Sequence, residues 1–171
     1  MDVAGLLIDA FGRIRGETHG VLDGASRALL TYRPDPDANS IAWLVWHLTR
    51  IQDDHVADVA GVEQRWTADG WYERFGLPFP PEAHGYGHTS DDVGQVDVNG
   101  DLLRGYFDVV HDVTVSYVMG LRGEDLDRIV DERWDPPVSL GVRLVSVVDD
   151  DIAHSGQAAF VRGLAGRAGI S

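Results

Sequence analysis

Residues 40–60 read SIAWLVWHLTRIQDDHVADVA, and their spacing decides the fold class. Ile41, Leu44, Val45, Leu48 and Ile51 recur at three- and four-residue steps, which places their side chains on one face of an α-helix. Asn39 or Ser40 stands where a side-chain oxygen can accept the first free backbone N–H groups, so the helix is predicted to start there and run to about Ala60. That apolar face carries one histidine, His47, between Leu44 and Leu48. It is predicted to point inward.

Working outward, three more stretches share the period. From Val3 to Leu30, a stripe of Leu7, Phe11, Ile14, Val21, Leu22 and Leu29 predicts a first helix. Gly12, Gly16, Gly20 and Gly24 each cost roughly 1 kcal/mol relative to alanine in a helix interior. This helix therefore depends on packing, and a break near Gly20 is expected. Leu103, Phe107, Val110, Val113, Tyr117 and Leu121 predict a third helix over Asp101 to Leu121. After the charged connection RGEDLDRIVDERWDPP (122–137), Ser139 can cap a last helix bearing Leu140, Leu144, Val148 and Ile152 and extending to about Leu164.

Two segments interrupt the pattern. Arg33-Pro34-Asp35-Pro36-Asp37 reads as a loop, because each proline restricts itself and its predecessor. Residues 61–97 include GWYERFGLPFPPEAHGYGH (70–88) and hold no period, which predicts a long excursion with a short helix around Trp71. Its aromatic content predicts packing over one end of the bundle rather than a solvated linker. The expectation is an all-α chain: an up-down four-helix bundle with a long crossover excursion, folded as a single domain over residues 1–171. Strand alternation and fixed-period repeats are absent from the pattern, which argues against a Rossmann-type sheet.

Composition narrows the function classes. With a net charge of -14 and a pI near 4.6, the chain would repel nucleic-acid phosphates and anionic lipids, so neither is an expected partner. It contains no cysteine, so any metal must sit on His, Asp or Glu and any thiol must be a substrate. The start MDVAGLLIDAFGRIRG lacks a basic secretory n-region, and no apolar run approaches the ~18 residues of a membrane span. A cytoplasmic location is expected. All 14 basic residues are arginine, a bias that suits a high-GC genome.

Asp150 and His154 are four apart on the last predicted helix, so both side chains leave one face about a turn apart. With His47 from another helix they would form a three-ligand site that leaves coordination positions open for water or substrate. Spacing alone also accommodates a plainer reading, in which His47 is a hydrogen-bonded core residue and Asp149-Asp150-Asp151 a solvated acidic face.

Read together, SIAWLVWHL (40–48) and DDIAHSGQ (150–157) resemble the DinB-like superfamily. In that family a histidine on the second helix joins a His-x-x-x-His pair on the last, and a Gly-Gln step follows the final histidine. His47, His154, Gly156 and Gln157 match that pattern. Asp150 departs from it, standing where histidine is commonest, and so is similar to the two-His-one-carboxylate zinc site of mycothiol-dependent maleylpyruvate isomerases in the same superfamily. The resemblance implies a divalent metal on His47, Asp150 and His154, zinc first, with nickel, iron or manganese compatible with the same ligands. It further implies a thiol transferase or thiol-dependent isomerase that joins a low-molecular-weight thiol to a small electrophile. The arginine-only composition suits an actinobacterial host and hence mycothiol over bacillithiol. A noncatalytic small-molecule-binding or stress-associated metal-binding bundle is the alternative, and a homodimer is expected if an apolar helix stripe is left exposed.

Residues expected around the metal are Gln157, Asp149 and Asp151 as partners for the ligands, and Asp54 and His55 two turns along the His47 face. In the excursion, Tyr86 and His88 are expected over the cavity, while Gly85 and Gly87 argue against a helical His84–His88 metal pair. His19 and His111 read as isolated histidines. The tryptophans at 43, 46, 66, 71 and 134 read as packing residues.

Overall fold

The computed structural model describes residues 1–171. Four long helices dominate: α1 (Val3–Leu22), α3 (Ile41–Ala60), α7 (Gly100–Met119) and α8 (Leu140–Arg167), with α2 (Arg27–Leu30) between the first two. The excursion carries three short helices, α4 (Arg65–Ala68), α5 (Trp71–Phe75) and α6 (Ser90–Gly94). No helix is long and apolar enough to cross a membrane.

Local chemistry sets the ends. Ser40 Oγ accepts from Trp43 N at 3.2 Å and starts α3, and Gly61, with φ 68, closes it in the left-handed conformation. Ser139 caps α8, accepting from Val142 N at 3.4 Å. The predicted first helix stops earlier than Leu30: α1 ends at Leu22, and Gly24 turns the chain at φ +62 before Ser26 caps α2. The break falls at Gly24 rather than Gly20 because only Gly24 must take a positive φ.

α1 and α3 each pack against both α7 and α8. Side-chain pairs give the directions. Arg15 meets Asp108 and Arg104 meets Asp23, so α1 and α7 are antiparallel. Gln52 meets Thr114 and Tyr117 reaches the Val59 carbonyl, so α3 and α7 run parallel. Glu17 meets Ser155 and Arg162 reaches the Val21 carbonyl, so α1 and α8 are parallel too. The order is up, down, down, up, and the crossover of residues 61–99 is what returns the chain for a second downward helix. A small antiparallel pair, β1 (Ile129–Asp131) and β2 (Val138–Ser139), lies in the α7–α8 connection. Strands of three and two residues are too short to show alternation in sequence.

Every residue from Ser40 to Arg50 is buried, on all sides of α3. Helices α7 and α8 cover one side, and the excursion lays Trp66, Trp71, Phe75 and Leu77 against the rest of the same core. Fully burying Ile41, Leu44 and Leu48 stabilises by about 1.5–3 kcal/mol each, and Trp46 by more because of its area. On α8 the buried positions are Leu140, Leu144, Val147, Asp151, Ser155, Ala158, Val161 and Ala165. A mixture of three- and four-residue steps holds this seam on the core, whereas the predicted four-residue steps through Val148 and Ile152 drift around the helix. Ile152 is accordingly half exposed, and Asp151 takes the core position.

Candidate metal centre

α3 and α8 are antiparallel, and His47 on one meets Asp150 and His154 on the other. His47 Nε2 lies 3.9 Å and His154 Nε2 3.6 Å from Asp150 Oδ1, and one donor atom from each residue lies within 4.8 Å of the others. Two imidazoles and a carboxylate on such a scale are a donor set for a divalent ion.

Each imidazole has its outer nitrogen occupied. His47 Nδ1–H donates to the His84 carbonyl, and His154 Nδ1–H donates to Gln157 Oε1 at 3.2 Å. Both bonds leave the Nε2 lone pair on the side of Asp150, the tautomer a metal ligand needs. Asp150 Oδ2 is buried without a hydrogen-bond partner, and burial first, then Asp149, pushes its carboxyl pKa up despite His154. An orphaned buried oxygen beside two imidazole nitrogens is a site that a cation would relieve. The three residues thus fit a divalent metal.

Burial also pushes the His47 pKa down to about 4, more than the hydrogen bond to His84 restores. The unfolded chain would protonate His47 near 6.5 and the folded chain only near 4. Stability is therefore intact above pH 6.5 and falls as pH drops toward 4, by about 3 kcal/mol at ~1.4 kcal/mol per pKa unit. Denaturant titrations of metal-free protein at pH 7.5 and 4.5 should show this loss in the wild type and most of it absent in His47→Gln. Equal pH dependence of the two proteins would exclude it.

The wall around His47 comes from neighbours that spacing did not single out. Trp43, one turn earlier, stacks on the His47 ring at 4.7 Å and 11° and meets His154 edge-on at 6.3 Å. Gly85 has φ +98, and a Cβ there would lie 2.7 Å from His47 Nδ1, 3.0 Å from Trp43 Cζ2 and 3.2 Å from Trp46 Cζ3. Only glycine lets the His84 carbonyl reach His47. Gly85→Ala should displace this loop, cost the His47 hydrogen bond and weaken metal binding about tenfold to a hundredfold, as loss of an outer hydrogen bond to a ligand does. Chelator competition measures it. An unchanged affinity would show that the His84 contact is dispensable.

Of the other predicted residues, Gln157 is the one that hydrogen-bonds a member of the donor set, His154. Asp149 is exposed, because it sits on the outer face of α8. Asp151 is fully buried with both carboxylate oxygens unpartnered, and its pKa is pushed well up by burial and then by Asp150. It faces the bundle core and makes no hydrogen bond to either histidine. Tyr86 is 88% exposed and does not cover the site, since the turn with positive φ at Gly85 and Gly87 directs it outward. His88 joins the aromatic wall, accepting from Trp43 Nε1 at 3.2 Å and stacking on Trp46 at 5.6 Å. Asp54 and His55 line a separate polar hollow with Glu82 and Arg143. The His84 carbonyl carried no sequence signal; Trp43, read as a packing residue, lies four residues before His47, a spacing that could have placed it beside that ring.

The sequence profile of the DinB superfamily matches residues 10–158, a span that includes His47, Asp150 and His154. A crystal structure of a conserved protein from Enterococcus faecalis superposes with a TM-score of 0.88 at 32% sequence identity, over 95% of this chain and 96% of that one. No curated protein matches the sequence.

Proposed function

The chain belongs to the DinB superfamily, whose members bind metal, and on that premise we propose that it is a metal-dependent thiol transferase using mycothiol and a small electrophile. The observation that carries the reading is the two-imidazole, one-carboxylate donor set with both outer nitrogens tied and one edge open: the side chains of Asp150 and His154 are 27% and 19% exposed. Three protein ligands leave room for a fourth from solution. Zinc is the proposed ion, and it would supply Lewis acidity that lowers the pKa of a thiol reaching it.

The chain's own residues orient and shield. His84 and Gln157 aim the two imidazoles by accepting from their Nδ1–H groups, while Trp43 closes one side of His47 against water. In the transfer the thiol loses its proton to solvent through the open edge, its sulfur forms a bond to the electrophilic carbon, and the displaced electron pair leaves with the departing group. A cysteine-free protein cannot supply that sulfur itself, so the thiol enters as cosubstrate.

Untagged protein purified without chelators should carry about one divalent ion per chain, as expected for three protein ligands. Cobalt(II)-substituted protein should develop a sulfur-to-cobalt absorption band on adding mycothiol, and the thiol should be consumed with some member of an electrophile panel. Metal retention with no spectral response to thiol would overturn the transferase reading and leave a noncatalytic metal-binding bundle.

A further inference from the structure

Helix α8 carries apolar side chains on both of its faces. Opposite the buried seam, Val142, Val145, Ile152 and Phe160 are 50% to 66% exposed. Steps of three, seven and eight residues keep these four on one side of the helix. Two charged side chains share the exposed face, Asp149 and Arg167, and neither makes a hydrogen bond or ion pair within the chain. On a chain of net charge -14, which would otherwise hold two copies apart, this long face is neutral. A row of apolar residues so exposed on one helix marks a contact surface.

The size of the face suits a second copy of the chain. From Val142 to Arg167 it is about 38 Å long at 1.5 Å per residue, and about 10–12 Å wide, one helix diameter. Two such faces laid together cover roughly 800 Å² in total, close to the ~1,000 Å² of a specific but weak interface. The flanking helix adds to it. Glu17 on α1 meets Ser155 at 2.9 Å, and Leu6, three turns before Glu17 and so on the same side of α1, is 60% exposed.

We infer that α8 is the interface of a homodimer, in which two copies of this helix pack antiparallel across a two-fold axis near Gly156. Charge selects the direction. A parallel pairing would set Asp149 against Asp149 and Arg167 against Arg167, whereas an antiparallel one brings opposite signs together. About an axis at Gly156, residues equally distant from it meet: Ile152 meets the partner's Phe160, four residues from the axis, and Val145 meets the partner's Arg167, eleven residues from it. Asp149 is one turn from Val145, so it lies beside the partner's Arg167, and symmetry makes that pair twice. At the axis Gly156 has no side chain to hold the two backbones apart, and nothing lies within 4 Å of where its Cβ would be. The inference is independent of the metal chemistry, because His47, Asp150 and His154 meet between α8 and α3, beside this face.

Sedimentation velocity of the full chain over about 1–500 µM should show the 18.7 kDa mass doubling, with a dissociation constant on the order of micromolar for an interface of this size. Ile152→Asp and Phe160→Asp should each weaken the dimer at least about a hundredfold, since each places two carboxylates in apolar contact. Asp149→Arg or Arg167→Asp alone should weaken it about tenfold, and the two together should recover most of the loss. Far-UV circular dichroism should match wild type in all of them, because every substituted side chain is exposed. The chain has no cysteine, so Gly156→Cys should cross-link to its own copy under mild oxidation, and Gly12→Cys, exposed on α1, should not. A monomer at every concentration, a dimer that survives both Ile152→Asp and Phe160→Asp, or equal cross-linking of the two cysteine variants would overturn the interface. Failure of the combined charge reversal to recover would overturn the antiparallel pairing.

Discussion

His47→Ala is expected to weaken binding of a divalent ion by about a thousandfold. A full structural zinc set is worth roughly 10–16 kcal/mol, so one ligand among three or four accounts for about 4 kcal/mol, or three decades in affinity. His47 should stand at the upper end of the three ligands, because its ring is held on two sides: Trp43 stacks on it and the His84 carbonyl accepts its Nδ1–H. Asp150 and His154 share one helix and would remain a two-donor chelate, so residual weak binding is expected rather than none. Competition with a chromophoric chelator measures the affinity. Far-UV circular dichroism and His47→Gln separate ligand loss from the cavity left beside Trp43. Affinity within tenfold of wild type in both variants would remove His47 from the site.

Arg50→Met is expected to destabilise the fold by about 3–5 kcal/mol, the range for breaking a buried charge from its partners. The Arg50 side chain is 0% exposed. Its Nε donates to the Ala83 carbonyl at 3.1 Å, Nη2 to the Pro81 carbonyl at 3.2 Å, and Nη1 to Gln64 Oε1 at 2.7 Å and to the Tyr106 hydroxyl at 3.3 Å. Tyr106 in turn donates to Asp53 Oδ2 at 2.7 Å, and Asp53 also accepts from the backbone N–H groups of Arg65 and Trp66. One guanidinium therefore fastens the start of the excursion, at Gln64, and its middle, at Pro81 and Ala83, to α3. Methionine fills the volume and leaves two carbonyls, an amide oxygen and the Tyr106 hydroxyl without that donor, and Asp53 without a cation 3.9 Å away. Arg50→Lys should recover only part, since an ammonium cannot reproduce the planar fork. Residues 81–84 lead directly to the His84 carbonyl, so metal affinity should fall with stability. A loss below about 1 kcal/mol in urea titration would show that apolar packing of the excursion suffices without the charge.

The long helices were legible because their signal is local. Ser40 and Ser139 cap where their side chains and the following apolar period placed them, and α3 ends at the expected Ala60. The Asp150–His154 pair was equally legible, since two residues one turn apart share a face in any helix. Where local rules left a choice, the reading drifted: four-residue steps on α8 pointed to Ile152, and the seam with α1 and α3 instead buries Asp151. Tyr86 was the expected cover of the site and is outside it, because two glycine turns decide where that side chain goes. Arg50 had no signal at all; an arginine in an apolar helix reads as a boundary residue until a loop supplies its acceptors.

By itself the sequence determined an all-α bundle, the crossover after the second long helix, and the candidates His47, Asp150 and His154. Helical periodicity, capping and the Gly-Gln step all act within a few residues, so one chain suffices to read them. Only the tertiary structure decided that α3 lies antiparallel to α8, which brings His47 to the other two, and that the His84 carbonyl fixes its tautomer from 37 residues away. These depend on the path of a loop without period, closed by one buried guanidinium and one glycine at positive φ, and no spacing in the sequence encodes that path.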